Sequence, residues 1–238
     1  YRTRLIGASL AALMLVGAAA PAAETVDAIG AGYAAIGDNG DAGVSPAWPD
    51  PTPAARDRRE QPLRALASRL DRLPATNGPA TRFDRALLTH LLQTDLAAFR
   101  FDEGRMPFSN GQGFFRTLGG AANTTVIRNQ ADAENWLARL DSVPQFYDAH
   151  IANMRRGLKS GFIQPVLIVD QVLQPLRAAV EVPVAADALL KPFAHLPPAI
   201  PAAEQTRLRA RAAQLVETRV RPAQRGLVAF MEKEYRPA

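Results

Sequence analysis

Residues 129–161 read NQADAENWLARLDSVPQFYDAHIANMRRGLKSG and contain two successive helical patterns. Asn129 is suited to cap a helix N-terminus. Apolar residues recur at three- and four-residue steps in both halves of the stretch: Trp136, Leu137, Leu140, Tyr147, Ile151, Met154 and Leu158. Pro144 separates the two series, and Gly161 is suited to end the second helix. The stretch therefore predicts two helices that form a bent helix or a helical hairpin.

Similar apolar series extend on both sides of this stretch. Toward the N-terminus they are Leu63, Leu66, Leu70 and Leu73, then Phe83, Leu87, Leu88, Leu91, Leu92, Leu96 and Phe99. Toward the C-terminus they are Val166, Val169, Leu173, Leu176 and Val180, then Leu208, Leu215, Val220, Leu227 and Phe230. This spacing places each series on one face of a helix. No strictly alternating run is bounded by turn residues, so the sequence predicts an all-α fold, an antiparallel helical bundle.

A few residues predict where helices begin or bend. Thr52-Pro53 is suited to be the N-cap and first turn of a helix, and Pro62 is expected to bend or split that helix. Thr81 and Asp84 have the spacing of a capping box. Pro222 is expected to kink the last helix.

The N-terminal residues resemble a secretory signal peptide. Arg2 and Arg4 precede an apolar run that ends in the small residues 18–23. A membrane anchor is the alternative, but the run reaches spanning length only if weakly apolar alanines are counted. We predict that residues 1–23 are cleaved and that the protein is periplasmic or secreted. Residues 24–53 are predicted to be a short helix and an irregular surface linker without chemistry, and residues 54–238 a helical domain.

Composition argues against several kinds of partner. Without Arg2 and Arg4 the chain has 26 basic and 23 acidic residues, a formal net charge of +3. The basic clusters at residues 56–60 and 207–211 are typical of solvated helix faces, so we expect no nucleic-acid binding. No glycine-rich phosphate loop occurs, so we expect no nucleotide. The chain has no cysteine, so we expect no thiolate site and no lipid anchor through cysteine.

The side chains that catalysis requires do not form a recognised motif. His90, His150 and His195 lie on three separate segments, whereas a helical zinc site needs two histidines four residues apart. No Gly-x-Ser-x-Gly elbow of a serine hydrolase occurs. Asp132 and Glu134 are two residues apart and do not share a helix face, so we expect them to interact with the helix dipole. We predict no catalytic or metal-ligating residue in this chain.

One loop remains as a candidate binding site. Residues 106–115 interrupt the helical periodicity and are rich in glycine and aromatic residues. Asn110 and Gln112 offer amide groups, and phenylalanines could form an apolar wall. The predicted contact residues are Phe108, Ser109, Asn110, Gln112 and Phe115. A buried structural loop is the alternative interpretation.

Three segments, in their order along the chain, resemble a known family. They are residues 107–111 (PFSNG), 134–140 (ENWLARL) and 154–165, which contains Met-Arg-Arg-Gly and ends in Gln-Pro. Residues 197–201, 221–223 and 234–237 fit the same pattern. The chain resembles the bacterial proteins catalogued as domain of unknown function 885 over nearly all of its length after residue 23.

The resemblance implies an enzymatic function whose catalytic residues are not among the residues of this chain. Members are similar to gluzincin-type zinc peptidases of carboxypeptidase type, whose zinc motif lies farther along the chain. The chain begins without methionine and stops after a helical pattern, so we expect it to be the N-terminal region of a larger, mainly helical protein. It would wall the substrate cleft, with the C-terminal catalytic region of the same polypeptide as partner, zinc as its cofactor and a peptide as substrate.

Two expectations follow from this interpretation. The fragment alone should bind no zinc and should be inactive. If the residue 208–230 stripe packs on the missing region, the fragment should expose that apolar face. A non-catalytic periplasmic module that binds a peptide or protein is the alternative function.

Overall fold

Three helices form the N-terminal part of the structure, a computed structural model that describes residues 24–37, 44–75 and 78–238. They are α1 (Val26–Gly37), α2 (Pro53–Arg72) and α3 (Pro79–Phe101). The predicted signal peptide, residues 1–23, lies outside the described residues. Within those residues, no helix combines the length and the apolarity needed to cross a bilayer.

A short hairpin and four helices follow. Strands β1 (Phe108–Ser109) and β2 (Gln112–Gly113) pair antiparallel, with Phe108 opposite Gly113. The helices are α4 (Thr117–Thr124), α5 (Gln130–Asp141), α6 (Val143–Ser160) and α7 (Val166–Glu181). Single 3₁₀ turns lie at Glu103–Arg105 and Phe114–Arg116. The hairpin was not predicted, because two-residue strands are too short to show alternation.

The C-terminal part consists of short 3₁₀ segments and one long helical stretch. Val184–Ala186 and Ala188–Phe193 are 3₁₀-helical. Helix α8 (Ala202–Leu215) continues through a π-helical turn, Val216–Val220, into α9 (Arg221–Phe230) and a second π-helical turn, Met231–Tyr235. The prediction of an all-α fold is confirmed.

The helix ends confirm some local predictions. The Thr52 hydroxyl accepts a hydrogen bond from Ala55 N, and the Asn129 side chain accepts one from Asp132 N. Gly161 ends α6 with a φ of 70°, a left-handed conformation that glycine adopts without strain. Ser142 both ends α5 and precedes α6, so the two helices of the opening stretch are joined without a loop.

Two other local predictions are not confirmed. Helix α2 continues through Pro62, so this proline does not split the helix, and a bend there stays a prediction. Thr81 does not cap α3, because the helix begins at Pro79 with Gly78 as N-cap. Proline suits the first helical position, since its missing N–H would have no intrahelical partner there. Pro222 comes directly after the first π-helical turn. Proline has no backbone N–H to donate to the preceding turn, and the wider π-helical backbone can accommodate that missing hydrogen bond.

The larger hydrophobic core surrounds α5 and α6. Trp136, Leu137 and Met154 are fully buried in it. The Trp136 indole N–H donates to Leu189 O at 3.0 Å, which ties α5 to the 3₁₀ segment. A smaller core lies between α1, α2 and α3 and contains Ile29, among other residues. The described chain thus has one principal core and one three-helix core.

The segment before α2 is not the inert surface linker that the sequence predicts. Trp48 is buried and packs edge-on against Trp136, with ring centroids 5.9 Å apart. Its indole N–H donates to Arg139 O at 2.7 Å, and Val44 N donates to the Asp132 carboxylate. An aromatic side chain from this segment therefore completes the core around α5.

Two apolar faces differ from their predictions. The face of α3 buries Leu88 and Leu92, but Phe83 is 66% exposed and Leu87 is 46% exposed. The stripe at residues 208–230 is largely buried within this chain, including Leu208, Leu227 and Phe230. It packs on α5, α6 and α7, so the expected exposure of that stripe is wrong.

Gly157 provides a sharp test of this packing. A Cβ added there would lie 2.6 Å from Arg105 O and 2.7 Å from Phe162 O, two backbone atoms with little freedom to shift. We expect Gly157→Ala to lower the free energy of unfolding by about 1–3 kcal/mol, although alanine favours helix. Urea denaturation of the purified chain measures this change.

Gly226→Ala is the matched control. Gly226 also lies inside a helix, α9, but an added Cβ meets no atom within 4 Å. We expect this variant to gain up to about 1 kcal/mol from the higher helix propensity of alanine. Equal effects of the two substitutions would contradict the close approach at Gly157.

Candidate functional site

The hairpin is held in place by the C-terminal end of the described chain. The Phe108 ring packs against Tyr235, with ring centroids 5.4 Å apart. The Gln164 side chain donates to Phe108 O at 2.6 Å, and Gln164 N donates to the Tyr235 hydroxyl at 3.0 Å. Burial raises the pKa of Tyr235, an effect that the hydrogen bond from Gln164 opposes. One glutamine therefore links β1 to the last helical turn.

Glycine at position 113 permits the tight pairing of the hairpin. Gly113 has a φ of 145°, and a Cβ there would lie 2.6 Å from Phe108 Cβ. Gly111, in the turn, has a φ of 69°. Both conformations favour glycine, which explains why these residue types occur in the loop.

A surface groove of about 640 Å³ lies beside the hairpin. Its lining includes residues from the α3–hairpin connection, from both strands and from the segment after α6: Phe101, Glu103, Met106, Ser109, Gln112 and Phe162. Apolar walls with a few polar groups are typical of ligand-binding clefts. Glu103 is the acidic group among these residues, so the groove favours a ligand that is apolar and neutral or cationic.

The structure places the five predicted contact residues in three different settings. Ser109 and Gln112 are exposed and line the groove, and Phe108 contributes to its lining from a buried position. Asn110 is exposed at the hairpin turn and does not line the groove. Phe115 packs against the large core beside Phe114. Ligand contact by these residues stays a prediction.

The prediction missed the residues that complete the groove. Phe101 ends α3, whereas Phe162 and Gln164 follow α6, more than 45 residues from the hairpin in sequence. The Gly161 and Gln164-Pro165 pattern marked that segment but did not indicate its position. Only the packing of α6 brings it beside the hairpin.

A cluster of charges fixes the rim of the groove. Asp102 lies at the end of α3 with a φ of 48°, and its carboxylate pairs with Arg56, Arg105 and Arg156. Arg56 approaches to 2.9 Å and Arg105 to 3.5 Å. The Arg105 guanidinium also stacks 4.5 Å from the centre of the Phe162 ring. This cluster joins α2, α3 and α6 at one carboxylate.

Asp132 has a larger role than the helix dipole interaction that the sequence predicts. It is buried and accepts hydrogen bonds from Arg128 N at 2.9 Å and Val44 N at 3.3 Å. Burial acts to raise the pKa of Asp132, but these hydrogen bonds and the Arg128 charge outweigh it and lower the pKa. Asp132 therefore holds the Trp48 segment against α5. Glu134 pairs instead with Arg207 on α8.

The three histidines lie on different segments of the structure. His90 and His195 are exposed, whereas His150 is buried on α6. The His150 ring stacks on Phe114 with ring centroids 4.1 Å apart and meets Phe146 edge-on at 4.7 Å. Its Nδ1 atom is buried and finds no hydrogen-bond partner among the described residues. Within residues 24–37, 44–75 and 78–238, no group of three histidines or carboxylates could hold a metal ion, so these residues do not fit a zinc site.

The fold and the groove define an all-α protein with a hairpin-lined surface cleft. The family model described as "Bacterial protein of unknown function (DUF885)" matches residues 31–238. The chain belongs to this family, which confirms the family resemblance seen in the sequence. Among curated proteins, none matches the sequence significantly.

A solved structure resembles the chain in fold. It is described as "The crystal structure of the putative lipoprotein from Colwellia psychrerythraea" and has a TM-score of 0.71 at 10% sequence identity. The alignment covers 80% of this chain and 35% of that chain. The present chain therefore spans about a third of the length of that protein, and the likeness concerns the fold alone.

Acid titration tests the environment of His150. Burial lowers the pKa of His150 to about 4, from an ordinary value of 6.5. The unfolded chain therefore binds a proton more readily, and stability should fall as the pH decreases from 6.5 to 4, by about 3 kcal/mol. Urea denaturation across this range measures the slope.

His150→Phe is the control for this titration. Phenylalanine retains an aromatic ring beside Phe114 and Phe146 but takes up no proton. The variant should lose most of the slope between pH 4 and 6.5. An unchanged slope would mean that other groups cause the pH dependence.

Proposed function

We propose that this chain is the N-terminal helical part of an exported, zinc-dependent peptidase of carboxypeptidase type. In this proposal the hairpin groove forms one wall of the substrate cleft. The zinc ligands and the general base come from the catalytic region of the same polypeptide, which follows residue 238. Zinc bound there would supply an acidified water for hydrolysis.

The observation that carries this proposal is the construction of the groove. Its walls come from three separate segments that Gln164 and Asp102 hold together. Yet the Ser109 and Gln112 side chains, which line the groove, make no hydrogen bond within the described residues. Rigidly supported polar groups that remain available are suited to bind an extended peptide. We infer that Ser109 and Gln112 contact the peptide main chain.

The proposed location rests on two observations. Residues 1–23 have the pattern of a signal peptide, and the solved structure of similar fold is described as a "putative lipoprotein". A zinc peptidase of the periplasm or the external medium would encounter short peptides there.

The alternative is a non-catalytic module that binds a peptide or protein. The exposed row on α3 favours it, since Phe83 is 66%, Leu87 46% and Leu91 36% exposed. Apolar residues at four-residue steps on a solvent-facing helix are typical of surfaces that bind a partner.

Zinc content separates the two candidates. We expect the purified 238-residue chain to hold no tightly bound zinc, and the longer polypeptide to hold one zinc per chain and to lose peptide hydrolysis on chelation. Inductively coupled plasma mass spectrometry measures the metal. One-to-one zinc in the shorter chain, lost on changing His90, His150 or His195, would contradict the proposal. A longer polypeptide without zinc or hydrolysis would favour the binding module.

Groove substitutions in the longer polypeptide test the substrate cleft. We expect Gln112→Ala and Ser109→Ala each to raise KM about five-fold with little change in kcat, because each removes roughly one hydrogen bond of uniform binding. Asn110→Ala is the control, since this side chain lies at the turn outside the groove. Unchanged KM in both groove variants would remove the hairpin from the cleft.

A further inference from the structure

A second cavity lies on another part of the molecule. It has a volume of about 380 Å³, opens to the surface, and is bordered by the 3₁₀ segments Val184–Ala186 and Ala188–Phe193 and by Arg209 of α8. Its apolar lining includes Ala186, Leu190 and Phe193. It shares no lining residue with the hairpin groove, so what it binds is independent of the proposed function.

Two cations border this cavity and have no acidic partner in the part of the chain that the structure describes. The Lys191 ammonium donates to the Asn123 side-chain oxygen at 2.8 Å. Arg209 donates to Phe193 O at 3.0 Å and to the Gln205 side chain at 3.2 Å. These acceptors are all neutral, and neither cation forms an ion pair within the described residues.

The acidic group in the cavity wall is already neutralised. Asp187 pairs with Arg221 at 2.9 Å, and both side chains are less than 10% exposed. The Asp187 carboxylate also accepts a hydrogen bond from Leu189 N. The positive charges of Lys191 and Arg209 are therefore not cancelled by this wall.

The Arg209 guanidinium is held in a fixed position before any ligand binds. Its two hydrogen bonds restrain the guanidinium through Nε and Nη2, whereas Nη1 makes no hydrogen bond within the described residues. A restrained guanidinium loses little conformational entropy when it binds a carboxylate. The sequence alone predicts a solvated face for this basic cluster, because the cavity beside it depends on a distant 3₁₀ segment.

We infer that this cavity binds an organic carboxylate that carries a compact apolar group. The carboxylate would lie between Lys191 and Arg209, and the apolar group would contact Leu190 and Phe193. The C-terminal residue of a peptide and a medium-chain fatty acid share this chemistry. Cationic and purely apolar ligands lack the group that these two side chains recognise.

Calorimetric titration of the 238-residue chain tests the site. The probes are N-acetyl-leucine for a peptide end, octanoate for a fatty acid, and acetate for the carboxylate alone. We expect one of the first two to bind at least about ten-fold more tightly than acetate, since apolar contact adds to the ion pairing. The tighter of the two identifies the source. Equal binding of all three probes would overturn the inference.

Matched variants assign the binding to this cavity. Arg209→Gln and Lys191→Gln should each weaken the tighter probe at least about ten-fold. Lys159→Gln removes an exposed cation on α6, outside the cavity, and should leave binding unchanged. Ala194→Trp should block the cavity while it keeps both cations, because Ala194 is exposed and lines the cavity. Melting temperatures confirm folding, and wild-type binding in the two glutamine variants would place the site elsewhere.

Discussion

Close packing of α6 against the backbone at Arg105 and Phe162 positions the hairpin groove. Gly157 allows this approach, since any side chain there would overlap two carbonyl oxygens. The segment after Arg105 leads into the hairpin, and the segment after Phe162 carries Gln164. The Gln164 side chain donates a hydrogen bond to Phe108 O, so the two segments meet. Substitution at one helical glycine would therefore disturb a groove whose polar side chains lie elsewhere.

Buried polar groups beside the second cavity also fix how neighbouring elements are arranged. Arg221 binds Asp187, the Gln224 side chain at 2.9 Å and two main-chain carbonyls at the end of α7. Burial raises the pKa of Tyr147, and the Asp187 charge adds to this effect, whereas a hydrogen bond from the Gln224 side chain opposes it. A buried ion pair contributes little net stability, because desolvation offsets its attraction. The Arg221–Asp187 pair instead requires a specific geometry, and it therefore holds α7, α9 and the 3₁₀ segment in one arrangement.

The two cores give the chain surfaces of different character. The large core is closed by its own helices, including the apolar face of α8 and α9, which would have been exposed if it packed on a missing region. The three-helix core leaves part of α3 exposed. The hairpin groove lies at Asp102, where the large core and the three-helix core meet. This family member thus presents a solvent-exposed apolar row and a supported groove on a helical framework whose fold recurs in a longer chain.

The sequence by itself determined the all-α class, the family and most helices, because apolar spacing and caps such as Asn129 act over one or two turns. It also marked residues 106–115 as a glycine-rich loop that interrupts the helices, but not that this loop forms a hairpin. Only the tertiary structure decided which apolar face is buried, that Trp48 joins the core, and that Phe162 and Arg209 border cavities. These outcomes depend on contacts between residues far apart in sequence, and a local pattern describes the face of a helix but not what covers it.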